Sequence, residues 1–244
     1  WLPDSIESIG ASAFKNCQRL MWVSGIEKCS SLKEIDEFTF TYCDSLLLIT
    51  LPDSIEVIDQ CAFTGCTLLF NMDLPENLNT IGFGAFVGCP FTNINIPASV
   101  KEIGERAFAA CDQLKKITVE ELNPYWCSID GVLYSKDART LHSYPSGKND
   151  KHYVVPEGVI TISGYSLAYN ESIEVVDIPS SVAKFGEGIV ASSNSQLHTI
   201  NYHGTVDMWN SIKKDIDWDD QSPNFTIYCT DGTIAKDGTI TYYQ

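Results

Sequence analysis

The 244-residue chain has no run of about 18 apolar residues, so no helix in it can span a bilayer. Basic residues are also scarce: 16 Lys and Arg stand against 32 Asp and Glu, a formal charge of −16. Phosphate backbones and anionic lipids both demand basic patches, which excludes nucleic acid as a partner and direct electrostatic docking on a membrane. No Cys-x-x-Cys pair occurs, Cys61 and Cys66 standing five apart, so a structural zinc site is not expected. No cofactor is expected either.

What the chain has instead is a phrase it repeats. LPDSIESIGASAFKNC at Leu2 to Cys17 returns as LPDSIEVIDQCAFTGC at Leu51 to Cys66. Pro3, Pro52, Pro75, Pro97, Pro156 and Pro179 each have an apolar residue three and six positions on; most have one at eleven and a cysteine at fourteen. The step is 23 residues from Pro52 to Pro75 and 22 from Pro75 to Pro97. A seventh copy without proline is in phase at Cys29. A period of this length marks stacked repeats, each too short to bury its own apolar face and so packed on its neighbours. The phenylalanine row Phe14, Phe40, Phe63, Phe86, Phe108 passes to Leu167 and Val190, and with the aliphatic rows should form one continuous core.

Each copy reads as one strand and one irregular or short helical arc. Before each proline comes a β-favouring stretch such as Leu46–Leu51 or Ile173–Ile178, which the proline ends because it cannot donate to a ladder. Seven such strands at about 4.8 Å would make a parallel sheet roughly 30 Å across. The Ala-Phe pairs would lie on the opposite, convex arc.

The pattern LPxSIxxIGxxAFxxC, followed by Leu20, Leu46, Leu69 and Leu114, resembles the leucine-rich repeats of the BspA-like, or Treponema pallidum, type. The resemblance covers roughly Leu2 to Asn201. It implies a curved right-handed repeat solenoid with the parallel sheet on its concave face, carried by bacterial surface proteins. An extracellular, cell-surface or secreted recognition role follows from it, with no reaction and no named ligand.

Two segments break the period. Residues 120–154 read as a β-hairpin insertion between five repeats in 1–119 and two in 155–201. Its Ile129–Tyr134 and Thr140–Tyr144 flank a polar turn, and it resembles a family accessory projecting from the solenoid edge. Residues 202–244 read as a capping module with a short helix that carries Trp209 and Ile212 on one face. Since the chain opens at Trp1 inside a repeat, it is expected to be a segment of a longer protein whose signal and anchor lie elsewhere.

The residues that look chemical have structural readings beside them. Cys17, Cys43, Cys66, Cys89 and Cys111 share one repeat position and read as free core thiols, with disulfides between adjacent coils the alternative. Cys127 with His142 or His152 is the one thiol–imidazole pairing on offer for a hydrolase in the insertion; solvated hairpin histidines are the plainer reading. His198 and His203 flank the last repeat strand and read as solvent-facing. Asp215, Asp217 and Asp219 open like a calcium loop, yet the sixth position is Asp220 rather than glycine and the twelfth Thr226 rather than glutamate. An extended segment with its acids outward is the simpler reading. Asn170 and Asn224 begin glycosylation sequons.

The positions the phrase leaves free remain. Alternation along each strand turns Thr50, Asp73, Asn95, Thr118, Asp177 and Asn201 outward, with Asn71, Asn93 and Lys116 two residues earlier in their strands. These nine are the expected ligand-binding face. The expected function is a non-catalytic, monomeric adhesion module for a host or neighbouring-cell surface or matrix protein, or a glycan. A structural spacer within a larger surface protein is the alternative.

Overall fold

The computed structural model describes residues 1–190, 196–219 and 221–244. It is a β-solenoid of about eight turns whose coils meet along two parallel ladders, one before and one after the prolines. The phenylalanine row forms the predicted stack: Phe14, Phe40, Phe63, Phe86 and Phe108 lie ring on ring at 5.1, 5.2, 5.6 and 5.8 Å, with interplanar angles of 12° or less. Phe40, Phe63 and Phe86 are fully buried. Each such ring removes an aromatic surface of about 150–250 Å² from water, so the row is a main source of cohesion between coils.

The arc that carries these rings is not helical. Two residues before and two after each ring the chain turns left-handed: φ is 61° at both Ser12 and Asn16 around Phe14, and 58° and 56° at Phe38 and Tyr42 around Phe40. The alternation aims every second N–H along the solenoid axis, so Phe40 N donates to Ala62 O and Phe63 N to Ala85 O, each at 2.8 Å. Non-glycine residues hold this conformation at a cost of about 1 kcal/mol or more each, which the inter-coil hydrogen bonds and the ring stack offset.

The cysteine row completes the arc. The thiols of Cys43, Cys66, Cys89 and Cys111 donate to the carbonyls of Phe14, Phe40, Phe63 and Phe86 in the preceding coil, at 3.1 to 3.3 Å. Cys29, Cys43, Cys66, Cys89 and Cys111 are buried, and all nine cysteines are free thiols. Burial pushes the Cys66 and Cys111 thiols up to about 12.

After the prolines, Glu34–Ile35, Val57–Ile58, Thr80–Ile81 and Glu102–Ile103 pair in parallel, one rung per coil. Before the prolines the sheet is not the single seven-stranded one expected. Trp22 and Leu48 make one bridge; Asn93–Ile96 pairs with Lys116–Val119; a separate ladder joins His152–Val154, Val175–Ile178, Thr199–Tyr202 and Thr226–Tyr228. Ladders form where β-branched residues alternate, as in Asn93-Ile94-Asn95-Ile96, and not at Phe70-Asn71-Met72-Asp73, which has none.

The insertion departs furthest from expectation. It is a three-stranded antiparallel meander of Trp126–Ile129, Val132–Ser135 and Thr140–Ser143, and its last strand pairs in parallel with Thr161–Ile162 as a rung of the post-proline ladder. It does not project from the edge, because both its faces are covered. Leu133 packs into the N-terminal core, while Val132 and Tyr134 pack into the C-terminal one. Gly131 turns back at φ 78°, where a Cβ would meet Lys116 Cβ at 2.7 Å, and its carbonyl accepts from Ile117 N. That turn occupies the place of the next pre-proline strand and splits the sheet.

Side chains bridge the gap on the post-proline side. In the regular coils the carbonyls of residues such as Asn79 and Ile81 accept from backbone N–H groups of the next coil. At the insertion, Lys101 O instead accepts from Trp126 Nε1 at 3.2 Å and Ile103 O from His142 Nε2 at 2.9 Å. On the far arc Arg106 lies 4.3 Å over the Tyr165 ring and donates to Tyr169 Oη at 2.9 Å. Asn123, fully buried, donates to Pro97 O and Val100 O and accepts from the N–H groups of Tyr125 and Trp126.

At the C-terminal end the helix Val206–Ser211, capped by Thr205, buries Trp209 against Phe185 at 5.4 Å and Tyr202 at 5.3 Å. Gly232–Ala235 and Ile240–Tyr242 then close the pre-proline ladder antiparallel.

Candidate functional site

Breaks in the pre-proline sheet divide the nine expected face residues into three groups. Thr50, Asn71 and Asp73 are exposed and line a crevice of about 190 Å³ between two coils that the post-proline ladder joins but no pre-proline ladder does. Leu48, Phe70 and Trp22, at 55, 61 and 60% exposure, place large apolar side chains on the same N-terminal stretch.

The second group is open and hydrogen-bonded across its strands. Asn93 faces Lys116 and Asn95 faces Thr118 across paired strands, and the Thr118 hydroxyl donates to Asn95 Oδ1 at 2.9 Å. Beside them the Asp130–Gly131 turn of the meander forms a wall, giving a concavity of about 560 Å³ that Thr92, Lys115 and Lys148 also line. Three ammonium groups thus meet in a chain of net charge −16. Lys148 is held by Asp130 and Asp150, whereas among the described residues Lys115 and Lys116 make no ion pair.

The third group is already engaged internally. Asp177 is largely covered and accepts from Asn201 Nδ2 at 2.7 Å and from His152 Nε2 at 2.9 Å; His203 stands 3.9 Å away. Two of the expected contact residues are therefore partners of each other. Strand alternation finds outward positions but not lateral bonds between neighbouring outward side chains.

The thiol–imidazole pairing is not assembled. The Cys127 thiol donates to Ser135 O at 3.2 Å, and burial raises its pKa. His142, expected to be solvated, is buried on Ile103 O and edge-on to Trp126 at 4.8 Å; burial brings its imidazole down to about 4. His152 is spent on Asp177. The aspartates Asp215, Asp217 and Asp219 lie at a turn rather than on an extended segment, because Trp218 folds inward against Phe185 at 5.4 Å. Asp220 lies outside the described residues. Among the described residues no three carboxylate, imidazole or thiol groups converge on a metal position. Asn170 occupies the cysteine position of its coil and is fully buried, donating to Pro145 O, Ser146 O and Lys148 O, so its sequon cannot be glycosylated in the folded chain.

A family model described as BspA type leucine-rich repeat region matches residues 1–115 and 143–212 in six copies. A leucine-rich cell surface protein from Faecalibacterium prausnitzii is 25% identical with a TM-score of 0.61, the match covering 87% of this chain and 81% of that one. A leucine-rich repeat protein from Eubacterium ventriosum is 22% identical with a TM-score of 0.58, over 71% of this chain and 58% of that one. One from Bacteroides ovatus is 24% identical with a TM-score of 0.55, over 86% and 55%. The chain thus spans little more than half the length of the Eubacterium and Bacteroides proteins. No curated protein matches the sequence. No helix among the described residues is long and apolar enough to cross a membrane.

Proposed function

The chain belongs to the BspA-type leucine-rich repeat family, and on that premise we propose that it is a non-catalytic, surface-displayed binding module that docks a protein partner on its pre-proline face. The observation that carries this reading is the 560 Å³ concavity beside the meander. Its Asn93, Lys116 and Thr118 are repeat positions the core does not use, and the meander gives the otherwise flat face a wall. Two ammonium groups without ion-pair partners among the described residues fit an acidic loop of the partner, since charge complementarity sets orientation and on-rate. The extracellular location rests on the family and on the surface protein it resembles.

The test is binding of the purified chain to a panel of immobilised extracellular-matrix and cell-surface proteins. A Lys115→Glu/Lys116→Glu/Asn93→Ala variant should lose tenfold or more in affinity, and the wild-type interaction should weaken with salt. The uninterrupted ring stack also suits a rigid spacer. If no panel member is retained, and partner binding by a longer protein containing this chain maps wholly outside it, the spacer reading holds. Hydrolase activity lost in Cys127→Ala would overturn both.

A further inference from the structure

On the post-proline side the coils stack Lys33, Glu56, Asn79 and Lys101 in one row, the last three each donating a backbone N–H to the carbonyl of the preceding member at 2.8 Å. Tyr125 closes the end of the row. Together they border a groove of about 620 Å³, distinct from the pre-proline face. That volume lies within the range of small-ligand sites and accommodates one or two sugar rings.

Two features mark this groove as more than a gap between coils. The first is the rigidity of Tyr125. The residue is 47% exposed, yet its backbone N–H is tied at 2.8 Å to Oδ1 of the fully buried Asn123, and the adjacent Trp126 is pinned to Lys101 O. The buried asparagine fixes the backbone from which this half-exposed aromatic side chain projects, which lowers the ordering cost of stacking on it. The second is Ser99. At the same repeat position Ser54 donates to Leu32 O at 2.6 Å and Ser181 to Val159 O at 2.7 Å, closing the coil on its predecessor. The Ser99 hydroxyl, itself buried in a residue that borders the groove, has no partner among the described residues. A buried hydroxyl without a hydrogen bond is costly to the fold, and rotation of the half-buried side chain into the groove would let a ligand hydroxyl satisfy it.

We infer that this groove binds a saccharide, with a sugar ring stacked on Tyr125 and its hydroxyls on Ser99, Asn79 and Lys101. The lining supplies mixed donors and acceptors with little net charge, because Lys33 and Glu56 neutralise each other at 2.9 Å. It has neither a deep apolar recess for a peptide anchor nor an arginine fork for phosphate. C–H faces of a sugar match an aromatic ring, and its hydroxyls match amides, a hydroxyl and an ammonium group.

The experiment is an array of neutral, N-acetylated and uronate-containing oligosaccharides probed with the whole chain, each hit then titrated by saturation-transfer NMR. At least one class should bind, with Tyr125→Ala weakening it about tenfold or more and Tyr125→Phe retaining it. Ser99→Ala should weaken it severalfold, while the Lys115/Lys116/Asn93 variant should leave it unchanged. An array without hits overturns the inference. So does binding that survives Tyr125→Ala, or binding lost only in the pre-proline variant, which would move the saccharide to the other face.

Discussion

Acidification should loosen the joint at the meander, and His142 is the group through which it acts. Its Nε2 meets a carbonyl, so the proton sits there, and Nδ1 is buried without a partner. A second proton on Nδ1 would bring a charge and a donor to a buried position that no acceptor among the described residues faces. Burial therefore holds the imidazole down from 6.5 to about 4, while in the unfolded chain it titrates freely. Between those values the unfolded state binds the extra proton, so stability is full above 6.5 and is lost as pH falls toward 4. At 1.36 kcal/mol per pH unit the gap corresponds to about 3 kcal/mol. The assay is urea unfolding of wild type and His142→Gln, whose amide can donate to Ile103 O but does not titrate. The difference in unfolding free energy between the two should shift by about 3 kcal/mol against the wild type from about pH 7 to about pH 4. Glu34 and Asp112, raised by burial, act in the opposite sense over a neighbouring range, but equally in both proteins, and so cancel. Parallel stability curves, or an NMR titration of His142 centred near its ordinary value, would refute the reasoning.

Phe63→Ala removes the middle ring of the stack and should cost about 3–5 kcal/mol in chemical unfolding, more than Phe14→Ala at the half-buried end. Alkylation of the native chain followed by mass spectrometry should label the partly exposed Cys17 and Cys61 first, and Cys66, Cys89 and Cys111 only on unfolding. Asn170→Ala orphans the N–H groups of Ser172 and Ile173 as well as three carbonyls, and should cost at least about 3 kcal/mol, read as a lowered urea midpoint. When the chain is secreted from a eukaryotic host, glycan mass should appear at the exposed Asn224 and not at Asn170.

Features that recur were readable in the sequence, because repetition fixes register. The phenylalanine and cysteine rows, and the outward positions Asn93, Asn95, Lys116 and Thr118, all follow from counting from the prolines. The left-handed arc was not readable, since Phe38, Tyr42 and Arg106 adopt a conformation their side chains disfavour and only inter-coil bonding enforces it. The meander was half readable. Asp130-Gly131 is a strong two-residue hairpin signal, and its φ values of 49° and 78° are those of a type I′ turn. Taking Ile129–Tyr134 as one strand overlooked it. The carbonyl partners supplied by Trp126, His142 and Asn123 occur once each and depend on residues 23 to 39 apart, so no period announces them. The bond between Asp177 and Asn201 was unreadable for the same reason: it is lateral, across coils.

The two side-chain donors at the insertion have an architectural consequence. A coil ends in carbonyls that the next coil's backbone normally takes up, yet Lys101 O and Ile103 O are satisfied by an indole and an imidazole. Beyond them the strand Thr140–Ser143 presents fresh carbonyls to Thr161–Ile162. The meander is in effect an adapter, with side-chain plugs on one side and a backbone socket on the other. Coils could be added or removed on either flank without altering the connection. Such a part could be transplanted between two coils of a designed solenoid.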